Sequence, residues 1–449
     1  MFQRSSALFL VLVPLLVHAA QYCSLKPSSG ISTSASGGIQ NSGDATDGSD
    51  VIASAWYPGW LAADFPPASL SWDKYNAMTF AFATTTSDVS MIALDDTSAQ
   101  ALPEFVAAAQ SNGVPALLSI GGWTGSMYYS TAVATADNRT AFVAAVLGLV
   151  SKYDLDGIDF DWEYPGRTTG LSCNTMNPDD SANFLSFLQE LRGTPGGENL
   201  VLTAAVGITP FYGPDGEPMD DVSQFANVLD RIALMVYDVW GSWSPTVGPN
   251  APLNDSCAPP ARQDGSAVSA VNAWTSANFP SNQACYIDMI CPITLGVAAY
   301  GHSFRVAPSA AVTGTNSLAL YPTYDASAQP VGSADTPGDT SLDPCGTPNG
   351  VSGIFTFGGL ISGGFLDSNG TAADGILSVF DSCSQTPYVY NSTSQVMVSY
   401  DDADSFAAKG RFINDQGLLG FAVWDVTGDQ NDILLDSLHQ AMGIQPVCE

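Results

Sequence analysis

From residue 51 onward, short apolar runs alternate with longer segments of helical pattern. The runs are Val51–Tyr57, Ala77–Ala83, Pro115–Ile120, Leu155–Asp161, Leu200–Val206, Arg231–Tyr237, Ile293–Tyr300 and Leu418–Trp424. Most are continuous rather than alternating, as expected of strands covered on both faces. Segments such as Ala136–Tyr153 and Asp180–Arg192 carry helical spacing between them. Strands and helices in that rhythm predict an α/β chain built as a (β/α)8 TIM barrel. A doubly wound open sheet is the competing arrangement. It is disfavoured because Trp56-Tyr57-Pro58-Gly59-Trp60 stands after the first strand, where a glycine-rich phosphate turn belongs.

The interval between the seventh and eighth runs is too long for one helix. Residues 305–395 mix Gly, Pro and Ser with short β-like pieces such as Gly353-Ile354-Phe355-Thr356-Phe357. Their apolar content, with Cys345 and Cys383, predicts a small folded domain inserted beside the mouth of the barrel.

The fourth run ends differently from the others. In Asp156-Gly157-Ile158-Asp159-Phe160-Asp161-Trp162-Glu163-Tyr164, acidic and apolar residues alternate. On a strand, Asp159, Asp161 and Glu163 share one face, and Ile158, Phe160 and Trp162 share the other. Same-face neighbours lie roughly 7 Å apart, so in a partly dry site at least one carboxyl holds its proton near neutrality. Such a group is equipped to act as a general acid. A calcium loop is the alternative for clustered carboxylates, but it needs oxygens on a curved loop.

In a TIM barrel the site lies at the C-terminal strand ends. Here those ends carry Trp60, Phe82, Trp123, Glu163, Met235, Tyr237, Asp238, Tyr300 and Trp424. Aromatic faces suit pyranose rings, whose C–H bonds pack on the π cloud. One such tryptophan is ordinary core; several at equivalent strand ends point to a sugar groove.

Composition narrows the partners. The chain has 449 residues, with 12 basic and 44 acidic side chains and a formal charge of −32. It repels nucleic acid and anionic membranes and suits a neutral or cationic partner. Residues 1–20 read as a secretory signal, with Arg4 at the positive end and Ala7 to Val17 as the apolar centre. The expected destination is therefore extracellular. Residues 21–50 read as a Ser/Gly-rich flexible leader, which Cys23 would tether in the alternative of an ordered arm. All eight cysteines follow the signal, an even number that favours disulfides. Cys285 and Cys291 are close enough for a local loop. Only His302 and His439 remain outside the signal, and C-x-x-C pairs are lacking, so a metal site is not expected. Asn138, Asn254, Asn369 and Asn391 open glycosylation sequons.

The D-G-I-D-F-D-W-E-Y stretch resembles the catalytic D-x-x-D-x-D-x-E signature of glycoside hydrolase family 18, the chitinases, of the fungal class V type. Asp156, Asp159, Asp161 and Glu163 fill its four acidic positions. Ser119-Ile120-Gly121-Gly122-Trp123 is similar to the family's S-x-G-G motif, and Met235-Val236-Tyr237-Asp238 to its M-x-Y-D motif. The resemblance implies barrel segments over 51–304 and 396–444, with an α+β insertion domain at 305–395. It implies Glu163 as acid and base, Asp161 orienting the substrate's acetamido group, Asp159 sharing a proton with Asp161, and Tyr237 donating to the same acetamido group. Trp424 would floor the reacting sugar. Trp60, Phe82, Gly122, Trp123, Tyr164, Met235, Asp238 and Tyr300 would make up the remaining substrate contacts. His302 stands where the family commonly has Arg in a Y-G-R segment. No cofactor is implied, and a monomer acting on chitin or chito-oligosaccharides is expected, by substrate-assisted retaining hydrolysis. An endo-β-N-acetylglucosaminidase acting on N-glycans and a non-catalytic chitin-binding lectin are the alternatives.

Overall fold

The computed structural model describes residues 23–27, 51–167, 169–280, 292–314 and 317–448. The secretory signal, most of the leader and the Cys285–Cys291 loop lie outside the described residues.

Eight parallel strands form the barrel: β1 (Ile52–Pro58), β2 (Ala77–Thr85), β3 (Ala116–Gly121), β4 (Gly157–Asp161), β5 (Val201–Val206), β6 (Arg231–Leu234), β7 (Ile293–Ala298) and β8 (Gly420–Trp424). They pair in chain order. The ring closes because β8 pairs with β1, Gly420 opposite Ile52, and β1 pairs with β2, Ser54 opposite Ala77. Closure rules out the open doubly wound sheet. It also removes the sheet edges that would otherwise recruit another strand.

Helices cover the outside: α1 (Asp96–Ser111), α2 (Ala136–Tyr153), α3 (Asp180–Gly193), α4 (Ala267–Ser276), α5 (Ala403–Gln416) and α6 (Ile433–Met442). Local chemistry sets where several begin. Asp95 accepts the backbone N–H groups of Thr97 and Ser98 at the start of α1, and Asp402 forms a capping box with Ser405 at the start of α5. No helix among the described residues is long and apolar enough to cross a membrane.

The packing of α3 fixes the register of β4. Phe160 meets Phe184 and Phe187 with ring centroids at 5.8 and 5.5 Å, and Trp162 meets Phe184 at 5.5 Å. Burying each of these rings stabilises the register by roughly 2–3 kcal/mol. A slip of one residue would put them inside the barrel and the carboxylates among the helices. The apolar half of the alternation therefore determines where the acidic half points.

Between β7 and β8 lies a second, antiparallel sheet. Its strands, in spatial order, are Ile354–Thr356, Tyr300–Arg305, Val396–Ser399, Thr386–Asn391 and Leu377–Asp381, with the short helix Phe357–Ser362 beside it. This sheet draws strands from both sides of the expected 305–395 boundary. Tyr300–Arg305 continues almost directly from β7, and Val396–Ser399 leads back toward α5. Its own core is built on Phe304, Tyr388, Tyr390 and Met397. Two disulfides tie its loops to barrel loops, Cys173–Cys345 and Cys257–Cys383.

Part of the leader departs from the flexible expectation. Cys23–Pro27 forms a strand antiparallel to Ile444–Cys448, with Cys23 opposite Cys448. The last strand thus runs past residue 444, and Leu25 is buried in the main core.

Candidate active site

At the end of β4, the inward carboxylates occupy three different environments. Asp159 is 2 % exposed and sits inside the barrel. It accepts from the Trp56 indole N–H at 3.0 Å, the Ser119 hydroxyl at 2.8 Å and the Thr203 hydroxyl at 2.5 Å. These donors come from β1, β3 and β5, so only the closed barrel assembles them. Arg231, at the start of β6, lines the same small cavity as Asp159 in the barrel interior. Burial works against the Arg231 charge, and Asp159 supports it.

Asp161 is 5 % exposed, and its Oδ1 is buried with no partner among the described residues. Burial, then the neighbouring Glu163 and Asp159, push its pKa well above the usual carboxylate range. Both Asp159 oxygens are occupied by other donors, and among the described residues no hydrogen bond joins the two aspartates. Of the two neighbouring carboxylates, Glu163 raises the Asp161 pKa more than Asp159 does.

Glu163 lies beyond the last residue of the strand, in a bend rather than on the pleat. Its position is set by its backbone. Its N–H donates to Ser126 Oγ at 3.0 Å, and its carbonyl accepts from the Asn174 side chain at 3.1 Å. Burial raises its pKa to about 7; the Tyr164 hydroxyl works the other way, and Asp238 adds to the rise. The alternation read from the sequence thus yields two carboxyls with elevated pKa values, raised first by burial and then by nearby like charges.

Around them stand two groups of aromatic residues. Trp60 stacks on Phe82 at 6.1 Å, and Phe82 on Trp424 at 5.5 Å, with Met235 packed against the same cluster. Tyr237 and Tyr300 form the other group, 6.1 Å apart edge to face. Burial and the nearby Asp161 raise the Tyr237 pKa well above the usual phenol range, so this hydroxyl is a donor at every working pH. Tyr164 is half-buried behind Glu163. Trp60 and Trp123 are 47 % and 51 % exposed, too open for core residues of their size. Trp123 sits on the short helix Gly122–Gly125.

Asp238 adopts a left-handed backbone with φ 55°. Its Oδ1 accepts from the Tyr300 hydroxyl and from His302 Nε2, both at 2.7 Å. Because a carboxylate only accepts, Nε2 carries the proton, and His302 Nδ1 is left buried without a partner among the described residues. His302, standing where the resemblance would place Arg, therefore contacts Asp238.

The glycines of the third-strand motif serve packing first. Gly121 has φ 113°, and a Cβ there would lie 2.0 Å from the Asp161 carbonyl oxygen; one on Gly122 would meet the Phe82 ring at 2.9 Å. The bareness of Gly121 lets β3 close against the end of β4, and that of Gly122 leaves room for Phe82 of β2. Gly121→Ala is expected to destabilise the fold by about 3 kcal/mol or more, read as a fall in the denaturant midpoint. A midpoint unchanged from wild type would show that the backbone there can yield.

Several functional positions escaped the sequence reading. Ser126 Oγ accepts from Glu163 N–H and lies 2.8 Å from the Gly122 carbonyl and 3.0 Å from that of Asp161. Asn250 accepts from Asp238 N–H at 3.0 Å and donates to the Tyr300 carbonyl at 3.0 Å. Trp243, 61 % exposed, meets His302 edge to face with ring centroids 5.2 Å apart. For Trp243 a signal existed, an aromatic residue shortly after the M-x-Y-D motif. For Ser126 and Asn250 none did. Among the described residues, no three His, Cys, Asp or Glu side chains converge as metal ligands.

Known proteins are similar to this chain in sequence and fold. A chitinase-like effector of Moniliophthora roreri is 48 % identical over 399 residues, covering 88 % of this chain and 94 % of its own. A class V chitinase of Arabidopsis thaliana is 28 % identical, covering 87 % and 89 %. The crystal structure of a chitinase from Rhizomucor miehei superposes with a TM-score of 0.74 at 31 % identity, covering 87 % of this chain and 99 % of that one. The sequence profile of glycosyl hydrolases family 18 matches residues 54–429. With its barrel, its smaller sheet and its β4 carboxylates accounted for, the chain belongs to glycosyl hydrolases family 18.

Proposed function

We propose that this protein is a secreted chitinase that cleaves β-1,4-linked N-acetylglucosamine polymers with retention of configuration. The observation that carries the reading is the pair formed by Glu163, raised to about 7, and Asp161, buried beside it with an unpartnered oxygen. Glu163 protonates the glycosidic oxygen. The substrate's own acetamido oxygen attacks C1, and an oxazolinium ion forms as the leaving sugar departs with the proton. Asp161 receives the acetamido N–H at its free oxygen and stabilises the developing positive charge. Tyr237 donates to the acetamido carbonyl oxygen. Glu163, now ionised, takes a proton from the incoming water, which attacks C1 from the face the leaving group vacated. No separate carboxylate nucleophile is required, in keeping with the substrate-assisted exception among retaining glycosidases.

The role of Asp159 in this scheme is to support Asp161 from inside the barrel, where donors from β1, β3 and β5 fix its carboxyl. Trp60, Phe82 and Trp424 offer stacking faces for the sugar, and Asp238 with Tyr300 and His302 supplies polar contacts on the other side. Trp123, Met235, Tyr164 and Gly122 line the approach.

A relative that is named a chitinase-like effector supports a second reading, in which the barrel binds chitin fragments without cutting them. Glu163 in this chain favours catalysis over that reading. The test is chito-pentaose hydrolysis followed by NMR of fresh product. The expected outcome is β-anomer first, with a rate that falls toward both the alkaline and the acid end. The sign follows from two groups: Glu163 must hold its proton, so the rate drops about tenfold per unit well above pH 7, and Asp161 must be ionised, so protonation of its raised carboxyl lowers the rate at the acid end. Tight binding with no cleavage would favour the second reading, and α-anomer as the first product would overturn the mechanism.

A further inference from the structure

We propose that residues 336–351 form a covalent strap over the catalytic groove, so that a polysaccharide reaches Glu163 by threading its end rather than by settling sideways. The proposal rests on the chitinase reading above. It concerns which substrates the site admits, and it follows from where the two ends of one hairpin are anchored.

The root of the hairpin stands on the Asp238 side of the groove. Asp335 accepts the backbone N–H groups of Gly332 at 2.6 Å, Ser352 at 2.7 Å and Gly353 at 3.0 Å, which staples the two feet together. The feet are seated on the strand Tyr300–Arg305. Ser303 donates to the Gly353 carbonyl from its backbone N–H at 3.0 Å and from its hydroxyl at 2.8 Å, and Ile354 lies opposite His302. His302 is the residue that holds Asp238.

The tip is fastened to the Glu163 side. Cys345 is disulfide-bonded to Cys173, with Cα atoms 5.5 Å apart. Cys173 belongs to the segment that follows β4, and its neighbour Asn174 donates to the Glu163 carbonyl. Two barrel strands, β5 and β6, separate β4 from β7, so the anchors stand on different walls.

Between the anchors the hairpin is shaped but unsupported. Leu342 pairs antiparallel with Pro348, Asp343 N–H donates to the Thr347 carbonyl at 2.8 Å, and Asn349 N–H to the Ser341 carbonyl at 2.9 Å. Yet nearly all its residues are exposed, including Leu342 at 59 % and Val351 at 45 %. A loop lying on the protein surface would bury one side. This one is held at its two ends and open along its length, which is the form of a bridge. An extended limb from 336 to the tip reaches up to about 30 Å, at roughly 3.3 Å per residue. The disulfide removes the freedom the hairpin would otherwise have to swing aside.

The substrate class that fits is a linear polysaccharide with accessible chain ends. Internal bonds of a long chain would be poor targets while the strap is closed. The experiment compares wild type with two variants: Cys173→Ser/Cys345→Ser, and a form in which residues 338–349 are replaced by two glycines, which keeps the Asp335 staple. Each is given chito-pentaose and a long soluble partly acetylated chitosan, with reducing ends and viscosity followed together. The pentaose rate is expected to stay within about twofold, while viscosity loss per bond cut rises by about fivefold or more in both variants. In a Glu163→Gln background, chito-hexaose should leave about tenfold faster once the strap is opened, since opening a closed route acts on dissociation. Unchanged viscosity loss per cut and unchanged dissociation in the hairpin-replaced form would overturn the strap. If wild type neither binds nor cuts any of these sugars, the chitinase reading itself falls, and the strap falls with it.

Discussion

Glu163→Gln is expected to lower chito-oligosaccharide turnover by about 10³-fold while leaving binding within a few-fold of wild type. A positioned general acid contributes roughly 10²–10⁴ in rate. Glutamine keeps the shape and the neighbours of Glu163 but has no proton to give to the leaving oxygen. The backbone contacts that place this residue, to Ser126 Oγ and from Asn174, do not involve its side chain and survive the change. The stacked faces of Trp60, Phe82 and Trp424 are untouched, so the sugar should still bind. Single-turnover hydrolysis and calorimetric titration with chito-tetraose measure the two quantities separately. A residual rate within about tenfold of wild type would mean that another group protonates the leaving oxygen, and the mechanism above would be wrong.

Asp161→Asn should cost about 10²-fold in kcat with little change in KM. The reasoning differs from that for Glu163, because Asp161 transfers no proton to the leaving group. Its Oδ1 is a buried acceptor with no partner among the described residues, beside the acid and below the position the acetamido group would take. An amide of the same shape places a donor where that acetamido N–H needs an acceptor, and it carries no charge to stabilise the oxazolinium ion. Removing one preorganised electrostatic contact from a transition state typically costs 10²–10³ in rate. The split matters: a loss in KM alone would make Asp161 a binding residue. A variant with unchanged kcat would exclude substrate assistance through this side chain.

The different fates of the β4 carboxylates show how far pattern reading reaches. The alternation of Ile158, Phe160 and Trp162 with Asp159, Asp161 and Glu163 was legible because a strand has only two faces and the apolar one must be covered. The crowding of acidic groups at a partly dry strand end was legible too, and burial first, then neighbouring charge, raises the pKa values there. Which neighbour each carboxylate answers to was not. Asp159 is claimed by donors from three other strands, Trp56, Ser119 and Thr203, which stand far from it in sequence. Asp161 is thereby left to face Glu163. Likewise, the glycines of Ser119-Ile120-Gly121-Gly122 were visible as glycines, but their reason, the closeness of the Asp161 carbonyl and the Phe82 ring, is a distance between strands.

The chain's own periodicities determined the barrel, its strand count and the face on which the acids lie, since burial on two sides or one leaves a mark on every residue of a strand. Local segments likewise determined helix starts, as at Asp95 and Asp402. What only the tertiary structure decided are the contacts made by residues that no periodicity relates. The Cys173–Cys345 bridge, the seat of the smaller sheet on Tyr300–Arg305, and the hold of His302 on Asp238 are of this kind. The physical reason is common to all three. Side-chain bonds between distant loops depend on where a closed ring of strands brings their ends, and that position is a property of the whole ring rather than of any stretch within it.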